Sequence, residues 1–133
     1  MADPVITNID MGGVILDNPE YRDELLTFAG AATILAGTIL ARDSVSLKMV
    51  PYVKGGVTNE NGIPKEVIVY EVVATGAGDI PIRGAIAGSY RLPKLVIDAD
   101  GDASNIDSAV VDQLRNYGLV PIDVQELFIP DNQ

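Results

Sequence analysis

Three short apolar runs, each rich in β-branched residues, occupy the middle of the chain. They read Ala36-Gly37-Thr38-Ile39-Leu40-Ala41-Arg42-Asp43, then Lys48-Met49-Val50-Pro51-Tyr52-Val53, then Lys65-Glu66-Val67-Ile68-Val69-Tyr70-Glu71-Val72-Val73. Polar turn residues separate them: Ser44-Val45-Ser46 after the first, Lys54-Gly55-Gly56 and Asn59-Glu60-Asn61-Gly62 after the second. Runs of this length and composition between turn residues predict three successive strands of an antiparallel meander. Pro51 cannot donate to a ladder, so its strand is an edge or ends there. Asn61-Gly62 suits a tight turn with positive φ. From residue 67 to 73 the third run is nearly unbroken, the pattern of a strand buried on both faces. Glu66 and Glu71 bracket it and are expected as solvated ends, not as a catalytic carboxylate pair.

Downstream, Pro81 to Arg91 alternates cleanly. Ile82, Gly84, Ile86 and Gly88 fall on one face of a strand, with Arg83, Ala85, Ala87 and Ser89 on the other. Glycines inside a strand mark the close approach of another backbone, and Gly84 and Gly88 are expected to meet a neighbouring chain. Farther on, Ser104 is a good helix N-cap with Asp107 three residues later, as in a capping box. Ile106, Ala109, Val110, Leu114 and Tyr117 share one helical face. Gly118 fits the left-handed position that ends a helix. Residues 119–129 follow as a closing strand.

Upstream, residues 20–29 fit either a short helix capped by Asn18 or a strand, and Leu25-Leu26-Thr27-Phe28 favours strand. Residues 1–19 are apolar but broken. Asp3-Pro4, Gly12-Gly13 and Asn18-Pro19 interrupt Val5, Ile6, Ile9, Val14, Ile15 and Leu16. Such a segment is either an ordinary edge strand or an arm that adds as a strand to a partner, and its frame favours the arm. The chain then divides into an arm, 1–19, and one mostly β domain of the α+β class, 20–133.

Composition narrows the chemistry. The 133 residues are 47% hydrophobic, enough for one domain with a real core. No run approaches the roughly 18 apolar residues of a membrane helix. Asp3 and Asp10 stand where a signal peptide carries Lys or Arg. Cysteine and histidine are both absent, which removes disulfides, thiolate chemistry, and the commonest general base and metal ligand. Net charge is −10; residues 42–94 hold seven basic and five acidic side chains, so the flanks carry the excess. An acidic exterior opposes binding to nucleic acid and to anionic membranes.

Candidate chemical motifs fail one by one. Thr75-Gly76-Ala77-Gly78-Asp79 is glycine-rich, but Pro81 stands where the dinucleotide fingerprint needs its third glycine, and a strand follows. Asp98-Ala99-Asp100-Gly101-Asp102 suggests a calcium loop, yet Ala103 and Ala109 occupy the glycine and glutamate positions of an EF-hand. A looser carboxylate site at Asp98, Asp100 and Asp102 stays open beside the plainer reading of a polar turn before the helix. No catalytic, metal-binding or cofactor-binding residue is assigned.

The succession of segments carries more than any motif. The first run from Ala36 to Asp43, then Val50-Pro51-Tyr52, then Val67 through Gly76, then Ile80-Pro81-Ile82-Arg83-Gly84, and last a helix into Tyr117-Gly118-Leu119-Val120, resembles the lambda-type head decoration proteins of tailed bacteriophages. The resemblance covers residues 25–124. It implies a small mixed β-barrel-like domain with one short helix, assembling as homotrimers on the capsid exterior. It also implies an N-terminal arm that orders against the major capsid protein after shell expansion. On that reading Pro4, Val5, Ile6, Ile9, Val14, Ile15 and Leu16 bind the capsid. The protein is then structural and non-enzymatic, made in the host cytoplasm and carried on the virion, without cofactor, nucleic acid or membrane. Two alternatives are a β-rich module binding sugar or peptide, and an enzyme working with carboxylates and lysine alone.

Overall fold

A computed structural model describes residues 13–123. Its strands are β1 (Ile15–Phe28), β2 (Ala32–Ile34), β3 (Ile39–Arg42), β4 (Met49–Pro51), β5 (Pro64–Val67), β6 (Val72–Ala74), β7 (Gly78–Arg91) and β8 (Leu119–Ile122). A 3-10 turn at Leu92–Lys94 and one helix, α1 (Ser108–Asn116), complete the fold. The main sheet runs β1-β4-β3-β5-β7-β8, and β7 also pairs with β1, closing the first five strands into a barrel. β1–β4 and β7–β8 are parallel; the remaining barrel pairs are antiparallel. β2 and β6 form a separate two-stranded ribbon. The domain is therefore a small, mostly β α+β fold: a mixed barrel with a single short helix.

Strand alternation sorts the apolar side chains into two cores. Leu26, Met49, Leu40, Ile68 and Ile82, one from or beside each barrel strand, meet inside the barrel, continued at one end by Phe28, Ile34, Val72 and Ala74. The opposite faces of β3, β5 and β7 give Ile39, Ala41, Val67 and Ala85 to an outer core. That core is covered by Val110 and Leu114 of α1, by Leu119, and by Leu95 and Ile97. The covering segment is tied to β3 by Ile39 N–H donating to Val96 O and Val96 N–H donating to Gly37 O, at 2.9 and 2.8 Å.

The central runs form strands in a different order from a meander. β3 lies between β4 and β5 and pairs antiparallel with both. The long loop 52–63 carries the chain across, so β5 adds on the far side of β3. The third run also divides. Val67, Ile68 and Val69 are fully buried, but the chain leaves the barrel after β5, exposes Glu71, and restarts as β6 against β2. β4 ends at Pro51. In the loop, positive φ falls on Gly55 (73°), Asn59 (47°) and Glu60 (65°), not on the Asn61-Gly62 pair.

Residues 20–28 are strand, but β1 begins earlier, at Ile15, so a boundary at 19/20 cuts through it. Val14 is 1% exposed within the outer core, Ile15 pairs with Tyr90, and Leu16 is half-buried in β1. Arg91 holds this end: its backbone N–H donates to Val14 O at 2.8 Å, and its guanidinium to Gly13 O and Ile15 O at 2.6 and 2.9 Å. Val14, Ile15 and Leu16 therefore belong to the domain and not to an arm. Pro4, Val5, Ile6 and Ile9 lie outside the described residues. Asn18-Pro19, which looked like a break, is absorbed as a bulge, two residues opposite the single Gly88. Gly88 has φ 121°, and a Cβ there would stand 2.8 and 2.9 Å from Asn18 O and Asp17 O. Its close backbone neighbour is thus β1 of the same chain.

α1 starts three residues later than the capping-box reading placed it. Asp107 is the N-cap and accepts from Val110 N–H at 3.0 Å, while Ser104 N–H donates to Asp102 in the preceding turn. Gly118 has the left-handed conformation, φ 81°, that ends the helix. Val110 and Leu114 point into the core, whereas Ala109 is exposed and Tyr117 is 40% exposed with Lys65 over its ring.

Candidate functional site

The barrel interior changes character halfway along. Stepping two residues from each apolar lining residue reaches Glu24 from Leu26, Arg42 from Leu40, Glu66 from Ile68, and Gly84 from Ile82. One end of the lumen is therefore charged. Arg42 grips Glu24 with both ends of its guanidinium, Nη1 to Oε1 at 3.1 Å and Nη2 to Oε2 at 2.7 Å. Arg42 Nη1 also donates to Leu47 O at 2.8 Å, which fixes the β3–β4 turn over the barrel mouth. Arg22 reaches Glu24 from outside at 3.1 Å. The bond from Arg42 holds the Glu24 carboxyl below the usual carboxylate range.

Glu66 stands beside this pair in a different state. It is 1% exposed; no donor reaches either carboxyl oxygen, and the group with which it can share a proton is the Glu24 carboxylate. Burial, reinforced by the Glu24 charge, pushes its carboxyl up to about 8, although Arg42 and Arg22 pull the other way. At neutral pH it is thus mainly a neutral acid. Space for it comes from Gly84, since a Cβ there would collide with Glu66 Oε1. The expectation of a solvated Glu66 is overturned: β5 faces into a closed barrel, so its residues alternate between two cores instead of between core and water. Glu71 is exposed as expected and forms no pair with Glu66. Glu66 was legible only through strand parity, because it shares a face with Ile68.

A cleft of about 470 Å³ opens at this mouth, lined by Arg22, Arg42, Lys65, Glu60, Leu47 and Glu66 among others. Around it, Val45, Leu47 and Val57 are 76, 62 and 92% exposed, on two loops joined by Ser44 N–H donating to Asn59 O at 3.0 Å. A second, shallower cleft of about 640 Å³ lies between α1 and the loop after β4, where Tyr52 donates to Gln113 at 2.8 Å and Lys54 pairs with Asp107. Neither cleft assembles an activated nucleophile with a base.

Asp98, Asp100 and Asp102 do not converge as ligands. Among the described residues no group of three acidic side chains is arranged to hold a metal ion. Asp102 accepts from Ser104 N–H at 2.9 Å, and partial burial raises the Asp98 carboxyl. Among the described residues, too, no helix is long and apolar enough to cross a membrane. No protein-family model matches the chain, and no curated protein is similar enough to count as a relative.

Proposed function

We propose that this chain is a structural capsid decoration protein that binds the exterior of an expanded phage head as a homotrimer and stabilises it. The observation that carries the reading is the architecture: one small mixed barrel with a single short helix, the fold implied by the order of the segments in the sequence. A cementing role needs a rigid body with an adhesive surface and no chemistry. The doubly cored barrel suits the first need, and the exposed Val45, Leu47 and Val57 suit the second. Gly84 and Gly88 lend no support to a trimer, because their close neighbours lie within the chain. Capsid contacts within the arm are proposed for Pro4, Val5, Ile6 and Ile9. The test is co-sedimentation of the purified protein with expanded, undecorated capsids. Saturable binding in multiples of three copies supports the reading; no binding at tens of micromolar overturns it.

A further inference from the structure

The five seams that close the barrel are unequal. β1 and β7 pair from Ile15 opposite Tyr90 to Phe28 opposite Gly78. By contrast, the β5–β7 register is the single pair Val67–Ala85. Glu66 precedes Val67, and its carboxyl lies over Gly84 of β7, across that short seam. The charged groups around it are Arg22 and Glu24 from β1 and Arg42 from β3, with Lys65 and Glu60 at the mouth. β7 contributes no charge beside it, only Gly84 and Ile86, and β4 contributes Met49 to the lumen.

A neutral carboxyl fits this place; a carboxylate does not. Arg42 already spends three of its five N–H donors on Glu24 and Leu47 O, and no donor is bonded to Glu66. A new charge beside Glu24 must either pull Arg42 away or reach water. The outward route passes between β5 and β7, a seam whose register is one pair, as short as the Leu26–Met49 register of β1 and β4 and, unlike it, directly beneath the Glu66 carboxyl. We propose that Glu66 is a proton-controlled latch: protonated, it closes the β5–β7 seam over Gly84; deprotonated, it leaves the lumen and loosens that seam and the barrel mouth. This device is independent of the capsid reading and would operate whatever partner the barrel meets.

Amide hydrogen exchange of the full chain between pH 6 and 10, corrected for intrinsic rates, tests it. In the wild type, protection of residues 65–68 and 84–86 should fall about tenfold per pH unit from pH 6 to about 8, the slope of one released proton, and level off above it. Protection of Leu25 and Leu26 on the long β1–β7 seam should stay higher than that of the β5–β7 seam over the whole range. Glu66→Gln, which mimics the neutral acid, should hold all of these constant. Flat protection in the wild type, or an equal fall in the Gln variant, overturns the latch. Should the variant fail to fold, the ¹³C shift of the wild-type Glu66 carboxyl decides. Titration near 8 supports the proposal, and titration near 4.5 overturns it.

Discussion

Shortening the N-terminus in two steps separates an arm from a strand. Val14 is 1% exposed in the outer core, and Arg91 is bonded to Gly13 O, Val14 O and Ile15 O. Val14→Ala removes two methyl groups worth roughly 0.8 kcal/mol each, plus a cavity term, for a total of about 2 kcal/mol. For domains of roughly this size, each kcal/mol lowers Tm by about 2–8 °C. Val14→Asp buries an unpaired charge and should cost several kcal/mol, enough to populate the unfolded state. Deleting residues 1–12 leaves the Gly13, Val14 and Ile15 acceptors of Arg91 in place and should lower Tm less than the longer deletion. Deleting residues 1–18 removes Val14, the Ile15–Tyr90 pair and the acceptors together, and should lower Tm by more than Val14→Ala does. Urea titrations and thermal melts followed by far-UV circular dichroism read all four proteins. A 1–18 deletion that melts with the wild type would refute the assignment of this segment to β1.

Three further outcomes follow from the two cores. The Glu66 carboxyl is raised from 4.5 to about 8 in the folded state, so its contribution is complete below about 4.5 and is lost as pH rises through about 8. The loss is about 1.4 kcal/mol per pH unit over that window, up to about 5 kcal/mol, and Glu66→Gln should flatten that part of a urea-stability profile. Gly84→Ala forces Glu66 out of its place and should cost about 1–3 kcal/mol; in a Glu66→Ala background most of that cost should vanish, which a double-mutant cycle measures. Leu114→Asp sets a charge in the outer core beneath α1, where Leu114 is fully buried; it should destabilise by several kcal/mol, and a melt within a degree or two of wild type would refute the orientation of the helix.

Much of the architecture was legible because local signals and burial agreed. The β-branched runs became strands, Pro51 ended one, and Gly118 ended the helix. Strand order was not legible. Nothing local in residues 52–63 says whether the next strand adds beside β4 or crosses to the other side of β3. The N-terminal boundary failed because Pro19 and Gly12-Gly13 read as breaks. A long strand tolerates a proline where a bulge faces a glycine, and Gly88 is remote from Pro19 in sequence. The helix start was misplaced because Ser104 and Asp107 both suit an N-cap, and Lys54, which binds Asp107, comes from a distant loop. Glu66 was the hardest. A glutamate at the edge of an apolar run ordinarily marks water, and only closure of the barrel turns that face inward. A reading of parity across Leu26/Glu24, Leu40/Arg42 and Ile68/Glu66 would have grouped the three charges on one surface.

The proposed decoration of a phage head fixes where the barrel should sit. Cryo-electron microscopy of expanded, undecorated capsids incubated with excess protein tests it most directly. The account predicts added density at the three-fold and quasi-three-fold positions, fitted by three copies of the barrel. Bare capsids at saturating protein, or density of another symmetry, would contradict it.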